Sequence, residues 1–409
     1  MKKIKSLFSP KKLILWFGII LLIFTIPTMN KPAMSKTEAI VTMMSIDKID
    51  ETVKIAVTVI TPTQDKQTNF QVYSAEGETL SVAVENMSLE IGKEMGFAQC
   101  EIVAIGETLS EKGVMKALDY MTRTKRVGTN SILISFTGDV VDFTQAVSDM
   151  SQEKSLNLGQ IINFDRRFIL SNQSNIENFY KDYYSDISIG ITPKIRLEDT
   201  ETENSIEVAS SSQSGQEQGG STSSSESKKY IVNDGSMVVY KKGKKYMDVS
   251  AEEMKKINIF ANKNQKGTII VSGVEDKIYN NTDVSVRIIE KNLNIKTKFK
   301  DNIPVFTANI ELEVFVEEVL DKEPTNKMLR RTRDFLTPAL MEKLKQKITL
   351  DMKEIITFCV ENKLDMLGVY KLFNAKNYKE FKAFIEKVGI EDFLSDIKFE
   401  TNVKINSEI

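Results

Sequence analysis

The first stretch of patterned sequence runs from Ala39 to Ile60 and reads as two strands around a tight turn. The apolar segment AIVTMMSI leads into Asp47-Lys48-Ile49-Asp50-Glu51, and TVKIAVTVI then alternates apolar and polar positions until Pro62. Leu80, Val84, Met87 and Ile91 repeat at helical spacing within residues 80–92. CEIVAIG (100–106) predicts a short buried strand, Glu107 to Tyr120 a second helix, and SILISF (131–136) another strand. This β-α-β-α-β order predicts an α/β layered N-terminal domain. Residues 142–190 read as mainly helical, with Phe164, Phe168, Phe179, Tyr180, Tyr183 and Tyr184 at spacings that favour core packing over a ligand box.

The pattern stops between Leu197 and Lys228, where Ser, Gln, Gly and acidic residues replace almost every apolar one. Such a segment cannot bury enough surface to offset chain entropy, so residues 198–228 are expected to form a disordered linker. Patterning resumes with GSMVVYKKGKKYMDV, a hairpin turning at Lys242-Gly243-Lys244. A helix from Ser250 to Phe260 follows, with Ser250 as N-cap and Glu253 in the capping-box position. Four strand signals come next: GTIIVSG, VSVRII, LNIKTKF and VFTANIELEVFV. In the last, Phe306, Ala308, Ile310, Leu312, Val314 and Val316 share one face, which points to an antiparallel sheet with that face covered.

A helix beginning at Pro338 behind a Thr337 cap supplies the cover. Its stripe is Leu340, Leu344, Ile348, Met352, Ile355 and Cys359, along a length of about 35 Å. Shorter helices near Leu367–Phe373 and Tyr378–Val388 precede a final strand, IKFETNVKI, that closes the sheet. The expected class is therefore α+β: an α/β layered domain over residues 36–197, the linker 198–228, and a sheet-plus-long-helix domain over 229–409.

The N-terminus has a different character. Residues 1–12 carry five lysines and no acid, and an uncharged apolar run follows. It comprises Leu13, Ile14, Leu15, Trp16, Phe17, Ile19, Ile20, Leu21, Leu22, Ile23, Phe24 and Ile26, and ends at Pro27. Extended to Met29, residues 13–29 reach the lower limit for crossing a bilayer as a helix. The basic flank should stay cytoplasmic, placing the bulk of the chain outside. No clean A-x-A precedes residue 40, and no cysteine follows the run to accept a lipid. An uncleaved signal anchor is therefore favoured over a cleaved signal peptide.

Composition narrows the chemistry. With no histidine among 409 residues, His-based triads and His-ligated zinc are excluded. Cys100 and Cys359 form no CxxC and lie in apolar runs, which favours buried thiols over a disulfide framework. There is no GxxxxGK[ST], no GxGxxG after a strand and no GxSxG elbow. Acidic pairs such as Glu198-Asp199 and Glu317-Glu318 read as solvated loop or sheet edge, and Arg330-Arg331-Arg333 as a solvated helix face balanced by Asp334 and Glu323. The net charge of −2 gives no field for nucleic acid. No catalytic residue, cofactor or metal site is expected. A carboxylate-only glycan hydrolase stays open, and two acids about 5 to 10 Å apart in a cleft would be its signature.

Three segments carry a resemblance. MSIDKIDETVKIAVTVITP (44–62) is similar to an opening strand pair with an aspartate in the turn and a closing proline. MVVYKKGKKYMDVSAEEMKKINIF (237–260) is similar to a strand, a basic turn and a helix entered through an acidic pair. The run from GTIIVSG to IKFETNVKI repeats a C-terminal sheet and helix, with Asp365-Met366-Leu367-Gly368 as a turn before Phe373, Tyr378 and Phe381. In these patterns and their order the chain resembles the Ger(x)C family, the C subunits of bacterial spore germinant receptors. The family's lipid-bearing N-terminal cysteine is missing here, and the Ser/Gln/Gly-rich stretch 205–227 is expected to be longer and more disordered than usual in the family.

The resemblance implies a subunit without catalysis, working with a transporter-like membrane subunit and a second membrane subunit in the inner spore membrane. It implies partners in the membrane and in those subunits, no nucleic acid, and at most indirect contact with a small-molecule germinant. The competing reading is a general envelope-anchored assembly or adhesion module on the same scaffold.

Overall fold

The computed structural model describes residues 38–62, 68–124, 127–154, 158–159, 174–199, 229–261, 266–320 and 335–407. The apolar run Leu13–Ile26, Phe164, Phe168, the arginines at 330, 331 and 333, and linker residues 200–228 lie outside them.

The first sheet contains eleven strands among the described residues. β1 (Glu38–Ile49) and β2 (Thr52–Pro62) form the expected hairpin, turning at Asp50 with φ of 50°. β3 (Thr68–Gly77) extends it antiparallel to β2. Helix α1 (Leu80–Ile91) leads to the short β4 (Glu94–Gly96) and then to β5 (Ile102–Ile105), both parallel to β1. Two helices follow where one is expected from Glu107 to Tyr120: α2 (Glu107–Lys112) and α3 (Met115–Arg123). They part at Gly113, whose φ of 119° no helix accommodates. β6 (Ile132–Phe136) and helix α4 (Val140–Lys154) come next. β7 (Ser174–Asn175), helix α5 (Ile176–Tyr183) and β8 (Ile189–Asp199) complete the first half. The expectation of mainly helix over 142–190 thus fails at its end, where residue 189 opens a strand parallel to β6.

β9 (Lys229–Val232) and β10 (Met237–Lys241) both pair antiparallel with β8, and β11 (Lys244–Val249) pairs with β10. The main order is β11-β10-β8-β6-β5-β1-β2-β3. Strands assigned from sequence to the C-terminal domain therefore complete the N-terminal sheet, and a boundary at residue 229 would cut through it. Pairing across a long intervening segment leaves no local trace in the sequence.

Parallel strands need both faces covered. Val103, Ile105 and Leu133 face α1, α3 and α5, while Ala104, Ile132 and Ile134 face α4, where Phe136 stacks on Phe143 with ring centroids 4.3 Å apart. β10 has all of Met237, Val238, Val239 and Tyr240 buried. Val238 and Tyr240 enter the core of the first lobe, and Met237 and Val239 enter the core of the second. This strand is a wall shared by both lobes, which explains a continuous apolar run where a one-sided strand would alternate.

The second lobe opens with α6 (Ala251–Ala261), which buries Met254, Ile257, Ile259 and Phe260. Its capping box is made: Glu253 N–H donates to Ser250 Oγ at 3.3 Å, and Ser250 N–H donates to Glu253 Oε2 at 2.9 Å. Ser250→Ala is expected to lower the unfolding free energy by about 1 kcal/mol, as read from the urea midpoint at constant m-value. An unchanged midpoint would mean the cap is idle.

β12 (Gly267–Val274), β13 (Thr282–Lys300), β14 (Ile303–Leu320) and β15 (Lys398–Ser407) form a four-stranded sheet in that order. The two signals VSVRII and LNIKTKF belong to one 19-residue strand. The polar triplet Glu290-Lys291-Asn292 suggests a break, but the register shifts between Ile288 and Glu290 and Lys291 turns inward. Its ammonium donates to the Asn258 and Ile259 carbonyls at 3.0 Å, capping the end of α6. Burial pushes the Lys291 pKa down to about 8.

The sheet is mixed, not antiparallel, because β15 returns parallel to β14. All six alternating residues of β14 from Phe306 to Val316 are buried. They face α7 (Pro338–Glu361), whose six stripe residues are buried and whose N-cap Thr337 accepts from Leu340 N–H at 3.2 Å. α8 (Val369–Lys376), α9 (Tyr378–Val388) and a 3-10 turn (Phe393–Asp396) close the end.

Candidate functional site

In an open α/β sheet, the crevice beyond the carboxyl ends of the parallel strands is where backbone and loops leave room for a ligand. A groove of about 500 Å³ opens at the carboxyl end of β1, walled by α1, α2, α3 and the β10–β11 turn. Its floor is apolar, made by Ile46, Val53, Leu80, Leu109, Met115 and Ala117, with Tyr120 and Tyr183 beside them.

Several local devices build it. Asp47 is buried at the end of β1, and its Oδ1 accepts N–H bonds from Lys48 at 2.8 Å and Leu109 at 2.7 Å. The second bond holds the first turn of α2 against the strand. Gly106 makes that approach possible, because a Cβ there would lie 2.3 Å from Asp47 Cγ. On the far wall, Val114 N–H donates to the Gly243 carbonyl at 2.9 Å, which seats the β10–β11 turn on the break between α2 and α3. Gly243 has φ of 74°, and a Cβ would meet Met115 Cγ at 2.5 Å.

The rim is basic. Lys48, Lys112, Lys116, Lys242 and Lys244 line it, against the single carboxylate of Glu78. Lys48 pairs with Glu51 at 3.0 Å, and Lys112 donates to the Asp50 carbonyl at 2.6 Å. That pair, with Lys112 and Lys116 nearby, holds the Glu51 carboxyl below its usual range. The N-terminal turn of α1 also opens onto the groove and holds no acidic residue.

Behind the groove lies a buried hydroxyl network. Tyr240 OH lies 2.8 Å from Ser110 Oγ and 2.6 Å from Ser135 Oγ, and Ser135 Oγ lies 2.6 Å from Thr192 Oγ1. It ties α2, β6, β8 and β10 together at one point. Burial raises the Tyr240 pKa, so the phenol stays protonated and can donate.

The lobes also meet through polar contacts. Tyr370 OH donates to Asp186 Oδ2 at 2.9 Å, Tyr246 OH to the Asn362 carbonyl at 3.2 Å, and Lys241 pairs with Glu391 at 3.6 Å. Burial, then the Asp186 contact, pushes the Tyr370 phenol up to about 12.

The residues singled out from sequence fall in separate places. Phe179 is buried edge-on to Tyr240, whereas Tyr184 is 75% exposed and so not core. Solvent covers Tyr184 because it lies one residue beyond α5. Glu198 accepts from Tyr230 OH at 3.0 Å and Glu317 pairs with Arg287 at 2.7 Å, both on strands. Cys100 and Cys359 are unbridged, and burial pushes each thiol up to about 12. Smaller cavities carry Glu101, Glu107 or Glu311 singly, so each wall lacks the paired carboxylates of glycoside hydrolysis. Among the described residues no group of three His, Cys, Asp or Glu could hold a metal, and no helix is long and apolar enough to cross a membrane.

The groove and the hydroxyl network escaped the sequence reading. Only their turns, Asp47-Lys48 and Lys242-Gly243-Lys244, carried a local signal.

Residues 36–197 match the family described as "Spore germination protein N-terminal domain". Residues 234–408 match "Spore germination B3/GerAC like, C-terminal". No curated protein matches the chain. The crystal structure of the GerBC protein is similar, with a TM-score of 0.48 and 14% identity, covering 88% of this chain and 96% of that one.

Proposed function

The chain belongs to the GerAC-like spore germination family, the C subunits of germinant receptors, and from that membership we propose that it is a non-enzymatic receptor subunit required for nutrient-triggered germination. It acts through protein–protein contacts at the outer face of the membrane, held there by the apolar segment 13–29. Its partners are the transporter-like subunit and the second membrane subunit of the receptor.

The carrying observation is that the two family matches meet inside one sheet. β10 and β11 fall in the C-terminal match, yet β10 pairs onto β8 of the N-terminal one and carries β11 at its outer edge. A partner gripping either lobe therefore acts on both, which is the property a coupling subunit needs. The thiols, buried and held protonated, are unsuited to nucleophilic work.

Spores lacking this chain should fail to lose optical density after nutrient addition, and the wild-type gene in trans should restore the response. The tagged chain should also co-purify with both membrane subunits. Germination at the normal rate, together with a defect in envelope assembly, would favour the adhesion-module reading instead.

A further inference from the structure

We propose that the groove at the carboxyl end of β1 binds a small ligand with an apolar body and an anionic head, a hydrophobic carboxylate. This assignment does not rest on the germination role. Its failure would leave that role standing.

Size favours a small molecule. About 500 Å³ lies within the range of small-molecule sites, and the lining is concave and mostly apolar as such sites are. The floor sets the body of the ligand. Leu109, Met115 and Tyr120 belong to α2 and α3, and these are fixed by the Asp47 and Gly243 bonds, so the apolar wall is formed before any ligand arrives.

Charge sets the head. Of the five rim lysines, Lys48 has Glu51 and Lys112 has a carbonyl. Lys116, Lys242 and Lys244 make no direct ion pair among the described residues, Lys116 sharing only the field of the Glu51 that Lys48 already holds, although the chain as a whole has a net charge of −2. Like charges gathered on a low-dielectric wall repel one another, and a bound anion relieves this. The positive end of α1 opens onto the same space and adds in the same sense. Glu78, the one carboxylate on the lining, limits the excess but does not cancel it.

The probe is 4-phenylbutyrate, with 4-phenylbutan-1-ol as its neutral counterpart and acetate as an anion without a body. Binding is read in the full-length chain from the [13C]methyl signal of Met115, assigned by Met115→Leu. The acid should move that signal saturably and bind at least tenfold more tightly than the alcohol, and acetate should leave it unmoved. Lys116→Gln combined with Lys244→Gln should weaken the acid at least fivefold, while the other methionine signals report an intact fold. Equal binding of acid and alcohol would overturn the anionic head, as would an unchanged affinity in the double variant. A Met115 signal that responds to phosphatidylglycerol vesicles but not to the acid would overturn the small-ligand assignment.

Discussion

Replacing Tyr240 with alanine is expected to lower the unfolding free energy by about 3–5 kcal/mol, the range for emptying a buried aromatic site. The ring is fully buried, edge-on to Phe179 with centroids 5.2 Å apart, and its hydroxyl reaches Ser110 and Ser135. Two terms add: the cavity left by the ring, and the hydroxyls that lose a partner. The second is smaller, because Ser110 still donates to the Gly106 carbonyl and Ser135 keeps Thr192. Tyr240→Phe isolates it and should cost about 1–2 kcal/mol. The alanine variant has a further consequence. Val239, the adjacent residue of β10, packs into the other lobe, so a loosened strand should raise amide exchange both in α2 and in α6. Urea titration and hydrogen exchange would check this together. A loss confined to the first lobe would mean that β10 does not couple the two.

What could be read from the sequence depended on whether a residue's role was local. The stripe Leu340 to Cys359, the alternation Phe306 to Val316 and the capping box at Ser250 each repeat within one element, and each lies as the pattern implies. β3 gave no pattern because it is an edge strand whose described side chains stay partly or fully exposed, so selection for apolar alternation is weak there. Lys291 misled in a different way. A lysine between two apolar runs looks like a turn until the α6 carbonyls that receive it are in view. The groove was least visible, since its walls come from β1, β2, α1, α2, α3 and the β10–β11 turn. No single segment records that they meet.

Asp365→Asn is expected to remove a pH dependence that the wild-type chain carries between pH 4 and 7. Asp365 is buried in the turn Asp-Met-Leu-Gly ahead of α8, where Gly368 takes φ of 67°. Its Oδ1 and Oδ2 accept the Val369 and Tyr370 N–H groups, each at 2.8 Å. Those donors favour the ionised carboxylate, but burial outweighs them and pushes the pKa up from 3.8 to about 6. A raised folded-state pKa means the native chain binds the proton more tightly than the unfolded chain does. The group's contribution is therefore fully present below its unfolded pKa and is lost as pH rises through about 6. Over pH 4 to 7 the loss should be about 2 kcal/mol relative to the asparagine variant, which has no proton to release. The turn also positions Tyr370, which reaches Asp186 in the first lobe, so the same titration bears on the contact between lobes. Urea midpoints of both chains at pH 4, 5, 6 and 7 give the test. Parallel curves would show that Asp365 does not titrate in this window and that its N–H donors, not burial, govern its charge.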